Sequence, residues 1–330
     1  MRAGPLIVAA LLAQMSTVGV AAQSLPAPQI DYWKVPWDNS RPRDPDVDAN
    51  GIVWFVGQTG DYVASFDPAK QQFRKIELDA GTGPHNLVIG EDRFIWYSGN
   101  RAAHIGRLDP KGGSIEKIAM PEGVRDPHTL VGDRRGHIWF TAQGANYIGR
   151  LMLSGRKMEV VKMPVANSLP YGIVVDANGR PWANLLGTNQ LATLDPKTLA
   201  LELIDLPRAE ARTRRIGVAA DGAVWYVDYA AGYIGRYDPR QRKFREWLPP
   251  TGGEAHPYAM AIDDRKRVWF VDTGAQPNRL MAFDPQSEQF VVDAVLRETR
   301  GAVRHMMFHS ASRTLWFGTD TNELVRVHVP

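Results

Sequence analysis

The 330-residue chain has no cysteine, which excludes disulfide staples, thiolate metal sites and cysteine nucleophiles. It has little net charge. Its 39 Lys and Arg face 36 Asp and Glu, a formal balance of +3, so nothing points to nucleic acid as a partner. Long helical periodicity is absent. No stretch after the first residues approaches the roughly 18 to 20 apolar residues of a membrane span, and none is expected. Hydrophobic residues make up 44% and charged residues 23%, which excludes a disordered chain.

The N-terminus carries a short targeting pattern. Arg2 supplies a positive start, Leu6 to Leu12 an apolar run, and Val20-Ala21-Ala22 a small-residue cleavage site. Residues 1–22 therefore read as a secretory signal peptide. The remainder, 23–330, is expected to be one domain in the periplasm or outside the cell.

What the chain does have is 30 Gly, 23 Pro and 10 Trp, a mix suited to tight turns around a recurring aromatic. Seven tryptophans recur in register: Trp54, Trp96, Trp139, Trp182, Trp225, Trp269 and Trp316, at spacings of 42, 43, 43, 43, 44 and 47 residues. Each follows a turn and a β-type run, as in Asn50-Gly51 before Trp54 and Asp221-Gly222 before Trp225, and both dipeptides favour hairpins. A second run follows, such as Tyr147 to Leu151, then often an Asp-Pro turn such as Asp109-Pro110, then a third run such as Phe244 to Trp247. A Pro-containing loop leads into the next apolar run. Four short strands per roughly 43 residues predict an all-β, seven-bladed β-propeller of four-stranded blades, with each Trp packed between neighbouring blades. The C-terminal repeat stops after its third strand. The segment Ile30 to Pro36 resembles the outer strands elsewhere, so the N-terminal strand should close the last blade and cover its edge. A ring closed in this way is expected to be monomeric.

Eleven positions before each Trp stand Arg43, His85, His128, Tyr171, Arg214, Tyr258 and His305. Pro precedes five of them. That position marks entry into the innermost strand, so these side chains should form a ring at one mouth of the central channel, the usual place for a propeller's ligand. Asp126, His256, Glu254, Asp228, Asp272 and Asp320 lie nearby in register. A His beside a carboxylate can act as a general base, or the pair can hold a divalent ion. The two arginines favour a small-molecule ligand with an anionic group.

The run Asp126-Pro127-His128-Thr129-Leu130, continued by Ile138-Trp139-Phe140-Thr141 and Ala145-Asn146-Tyr147-Ile148-Gly149-Arg150, resembles the virginiamycin B lyase (streptogramin lyase) family. Weaker copies extend the resemblance over 30–330. The resemblance implies a seven-bladed propeller and a carbon–oxygen lyase. The family's founding enzymes open cyclic depsipeptides by elimination across an ester: a His takes the proton alpha to a carbonyl, and Mg2+ held by Glu residues stabilises the developing charge. Carried onto this chain, His128 and His305 become the catalytic candidates, with His128 as the base. Asp126 takes the place of the first metal carboxylate, with Asp228 and Asp272 as further candidate ligands for Mg2+. Arg43, His85, Tyr171, Arg214, Tyr258 and His256 would hold the substrate. The family's second carboxylate falls near Ala142 or Gln143, and Val303 replaces the one expected before His305. That departure keeps two other readings open: a non-catalytic propeller that binds a ligand or protein at the same mouth, and a lactonase-type hydrolase.

Overall fold

The computed structural model describes residues 24–297 and 301–330. The expected signal peptide lies outside them. The described residues form seven antiparallel sheets of four strands each. The third blade is typical, running Pro127–Gly132, His137–Ala142, Tyr147–Met152 and Met158–Lys162 from the channel outwards. The first strands of successive blades neighbour one another around the axis. No α-helix occurs among the described residues, and no helix is long and apolar enough to cross a membrane.

Closure follows the expected scheme. Ile30–Lys34 pairs with Glu323–His328, in register from Ile30 opposite Val327 to Lys34 opposite Glu323. The Trp33 and Trp316 rings stack at 5.6 Å. The Asp31 carboxylate accepts hydrogen bonds from Arg326 Nε and Nη2 at 2.9 and 2.7 Å.

Every repeat Trp lies on the second strand of its blade and packs onto the next blade. Trp96 sits with Leu130, Ile138 and Phe140 of the third blade. Trp225 sits with Met260, Val268 and Phe270 of the sixth. Trp316 completes the circle against Val53, Phe55 and Tyr62 of the first. A buried indole needs an acceptor for its N–H, and the turn before the second strand supplies one. Asp48, Asp92, Asp133, Asp176 and Asp263 accept from the Trp Nε1 of their own blades at 2.8 to 3.3 Å. The same carboxylates also accept backbone N–H groups of their turns, as Asp48 does from Asn50 and Ile52. In five of the seven blades one Asp thus shapes the turn and satisfies the Trp, while Trp316 donates instead to Thr314 Oγ1.

The Ile-Gly-Arg pattern of the third strand has a similar cause. Phe140, Tyr97 and Tyr226 lie opposite Gly149, Gly106 and Gly235. A Cβ at any of these glycines would run into the facing aromatic ring. The adjacent arginines pair across the strands with Trp, and Arg150 lies 5.5 Å from the Trp139 ring centre, within cation–π range.

These turn aspartates should not be equal in energy. Asp263 accepts from Trp269 at 2.8 Å and from the buried Arg267 at 2.6 Å. Asp263→Ala would strip the buried Arg267 of its carboxylate, leaving only the Nη2 bond to the Pro330 oxygen, and is expected to cost about 3–5 kcal/mol. Asp48→Ala, at a partly exposed turn with no such partner, is expected to cost about 1–2 kcal/mol. Urea unfolding of the two variants checks the order, and equal losses would contradict it.

Candidate functional site

A kink and a bulge together build the mouth. Arg41, Gly83, Asp126 and Leu169 stand thirteen positions before their Trp, and their φ values are 50°, 51°, 51° and 52°. This left-handed conformation turns the chain into the innermost strand. One extra residue then enters that strand: Pro127 pairs with Ala142, but Leu130 already pairs with Phe140. The equivalent stretch is irregular in the other blades from the first to the sixth. A bulge re-aims side chains. Two successive residues lose their strand partners in the second, third, fourth and sixth blades, while Arg43 still pairs with Val56 and Arg215 with Val227 beside the shifts in the first and fifth.

The first position of this stretch holds the ring read from the sequence. Arg43, His85, His128, Tyr171 and Tyr258 are all buried, and Arg214 and His305 are partly buried. His85 and His128 have ring centres 3.7 Å apart, and His128 and Tyr171 are 4.3 Å apart. The hydroxyls of Tyr171 and Tyr258 share a short hydrogen bond across the channel. The Arg214 guanidinium lies 3.7 Å from the ring centre of Tyr229 and 4.6 Å from that of Tyr258. Arg43 donates to Gln58 Oε1 at 3.0 Å and approaches Asp44 at 3.4 Å.

The second position of this stretch was not read from the sequence. It holds Asp44, Asn86, Thr129 and Arg215, all buried. Arg215 leaves the fifth blade and crosses the channel. Its Nε donates to the Arg304 carbonyl at 2.7 Å, its Nη1 to Thr129 Oγ1 at 3.3 Å, and its Nη2 reaches Asp44 at 3.5 Å. Asn86 also donates to Asp44, at 3.0 Å. Counting back ten rather than eleven positions from each Trp would have found this layer. Tyr229 was also missed. It stacks on His256 at 4.9 Å, and no repeat register marks it.

Electrostatics set the state of the ring. Burial first, and then Arg43, hold His85 well below the ordinary imidazole value. Burial first, and then Arg215 and Arg43, do the same to His128. His305 is lowered to about 4 by burial, against the pull of Asp44 and together with Arg215 and Arg43. Asp44 is lowered despite burial, by Arg43, His305 and Arg215. Burial raises the Tyr258 phenol, yet Arg43, Arg215 and Arg214 outweigh it and leave it below its ordinary value. The mouth therefore presents neutral imidazoles beside permanent cations.

The candidate metal carboxylates take another role. Asp126 accepts from the Gly144 and Ala145 N–H groups. One oxygen of Asp228 accepts from Arg212, Ala230 and Ala231 N–H groups. One oxygen of Asp272 accepts from His256 and Gly274 N–H groups. Each pins the loops of its own blade. Among the described residues no three His, Asp or Glu converge as a metal site, so these carboxylates do not meet on one ion, although the second oxygens of Asp228 and Asp272 are buried without a partner. Glu254 is exposed in the turn Gly252–Glu254.

The model of the virginiamycin B lyase family matches residues 28–327. No curated protein matches the chain. Among solved structures, virginiamycin B lyase from Staphylococcus aureus is 19% identical over 92% of this chain and 100% of that one, with a TM-score of 0.83. A streptogramin B lyase structure is 21% identical over 94% and 100%, with a TM-score of 0.84. A catalytically inactive variant of the Staphylococcus aureus enzyme with quinupristin is 20% identical over 92% and 100%, with a TM-score of 0.83. At these identities the structural likeness concerns the fold.

The depressed His305 makes a stability prediction. Between 6.5 and about 4 the unfolded chain binds a proton that the folded His305 refuses, so wild-type stability falls as pH falls through that window. His305→Asn removes the effect. Wild type should lose about 3 kcal/mol relative to the variant by pH ~4, with little further divergence below. Asp46, pushed up to about 6 by burial, acts oppositely in both proteins and cancels. Denaturant unfolding of the pair across this window checks it. A constant difference would contradict it.

Proposed function

This chain belongs to the virginiamycin B lyase family, and from that premise we propose that it binds an anionic small molecule at the channel mouth. One observation carries the reading. The Arg214 guanidinium rests between Tyr229 and Tyr258, and its Nε is buried with no hydrogen-bond partner. A buried donor without a partner costs about 1–3 kcal/mol, and more when charged. A carboxylate answers it with two parallel hydrogen bonds. Arg43 Nη2 is left in the same condition. The flanking tyrosines offer aromatic walls, so an aromatic or otherwise flat acid suits the site best.

A second reading is elimination from an ester at this mouth. His256 favours it. A carbonyl can only accept, so His256 Nδ1 must donate its proton to the Tyr229 carbonyl, 2.8 Å away. The neutral ring then keeps a free lone pair on Nε2, the form a proton-abstracting base needs. In this reading the base is His256 rather than the more deeply buried His128, and the ring arginines stabilise the leaving carboxylate. That a relative is solved with quinupristin makes this compound the first substrate to try.

Thermal melts with benzoate and with its neutral isostere benzamide test the first reading. Benzoate at about 100 times its dissociation constant should stabilise by ~2.7 kcal/mol, benzamide should not, and Arg214→Gln should abolish the rise. Equal effects of the two compounds would contradict an anion site. Incubation with quinupristin tests the second: elimination opens the ring without changing its mass, whereas hydrolysis adds one water. A His256→Ala variant that still opens it at full rate would remove His256 as the base.

A further inference from the structure

We infer that Arg215 is a positioning residue that acts through Thr129 to hold the proton of His128 on Nε2, turning that imidazole into a hydrogen-bond donor aimed at the mouth. This deepens the anion-binding reading and rests on it for the identity of the acceptor.

Guanidinium has donors and no acceptor, and it does not deprotonate in a protein. The contact between Arg215 Nη1 and Thr129 Oγ1 at 3.3 Å therefore runs one way, with the threonine oxygen accepting. A hydroxyl that accepts still has one proton to place. Among the described residues its remaining partner is His128 Nδ1, at 2.9 Å. Were Nδ1 protonated, it would donate into the same oxygen, and the threonine proton would be buried without an acceptor. Thr129 is 3% exposed and His128 is 3% exposed, so water offers little relief, and an unmet buried donor costs about 1–3 kcal/mol. The favoured chain is Arg215 to Thr129 to His128 Nδ1. A neutral imidazole that accepts at Nδ1 carries its proton on Nε2.

Arg215 is held for this task from several directions. The Arg304 carbonyl takes Nε, Asp44 takes Nη2, and Asn86 and Arg43 brace Asp44 in turn. The backbone of Thr129 is fixed by Thr141, whose hydroxyl donates to the Tyr171 carbonyl at 2.7 Å. Five blades besides the one carrying Arg215 thereby fix one proton. The consequence separates two histidines that look alike in sequence. His128 offers N–H to a ligand oxygen, while His256 offers a lone pair.

The test needs no ligand at first. Nitrogen-15 NMR of the full chain distinguishes protonated from unprotonated imidazole nitrogens, and His128→Asn identifies the His128 signals. The expected result is an unprotonated Nδ1 and a protonated Nε2 in wild type and in Thr129→Ser. Thr129→Val and Arg215→Met should show mixed tautomers. If Arg215→Met does not fold, the near-isosteric Thr129→Val decides against Thr129→Ser. A protonated Nδ1 in wild type, or a single unchanged Nε2–H form in Thr129→Val, overturns the inference. A merely structural role would change the melting temperature and leave the tautomer alone. Benzoate is then titrated into the wild-type protein. A shift of the Nε2 proton supports donation to an anion. A fixed tautomer with no response to benzoate leaves the relay standing and counts against the anion-binding reading.

Discussion

No blade of this ring buries its own tryptophan. Trp54 needs the second blade, Trp139 the fourth and Trp269 the seventh, so each blade exposes a large aromatic until its neighbour arrives. An aromatic of this size buries ~150–250 Å2, worth roughly 4–6 kcal/mol at the usual area coefficient. The last tryptophan can be covered only by the first blade. That requirement makes the fold a circle, and the strand Ile30–Lys34 finishes the sheet on which Trp316 sits. The turn aspartates then remove the one penalty of burying an indole.

The circle also creates the channel, and the channel forces charge and aromatic groups together. Two consecutive bulge positions share the work. The inner one, Asp44, Asn86, Thr129 and Arg215, is a network tied across the axis and largely satisfied within itself. The outer one, with Arg43, His85, Arg214 and His305, retains buried nitrogens without partners. These unmet polar groups beside a satisfied layer are the observation on which the proposed ligand site rests. Burial first, and then the cations of both layers, hold His85, His128 and His305 below the ordinary imidazole value, so neutral rings that can donate or accept stand beside permanent positive charge.

The sequence revealed the ring because it repeats. Seven tryptophans at near-constant spacing gave the blade count, the edge closure and the position eleven residues upstream where the ring stands. It did not reveal Arg215, because the adjacent Arg214 satisfied the same count and only a bulge tells which guanidinium crosses the axis. It also suggested metal ligation for Asp126, Asp228 and Asp272. A carboxylate near a His reads alike whether it faces a cation or its own loop, and the backbone N–H groups that occupy both oxygens of Asp126 and one oxygen each of Asp228 and Asp272 become visible only in three dimensions. Tyr229 is invisible for a different reason: it lies in a loop, where the repeat imposes no register. The resemblance to the virginiamycin B lyases fixed the family, while the residues that would carry its chemistry differ at the second carboxylate.

The ring arginines and their unmet donors make an anion the proposed occupant of this mouth. Diffraction at the bromine absorption edge from crystals soaked in bromide tests it most directly, because bromide is an anion that can be located without knowing the natural ligand. An anomalous peak is expected inside the ring, within hydrogen-bond distance of Arg43 Nη2 or Arg214 Nε. Bromide confined to outer surface lysines, with the ring empty of it, would contradict the claim.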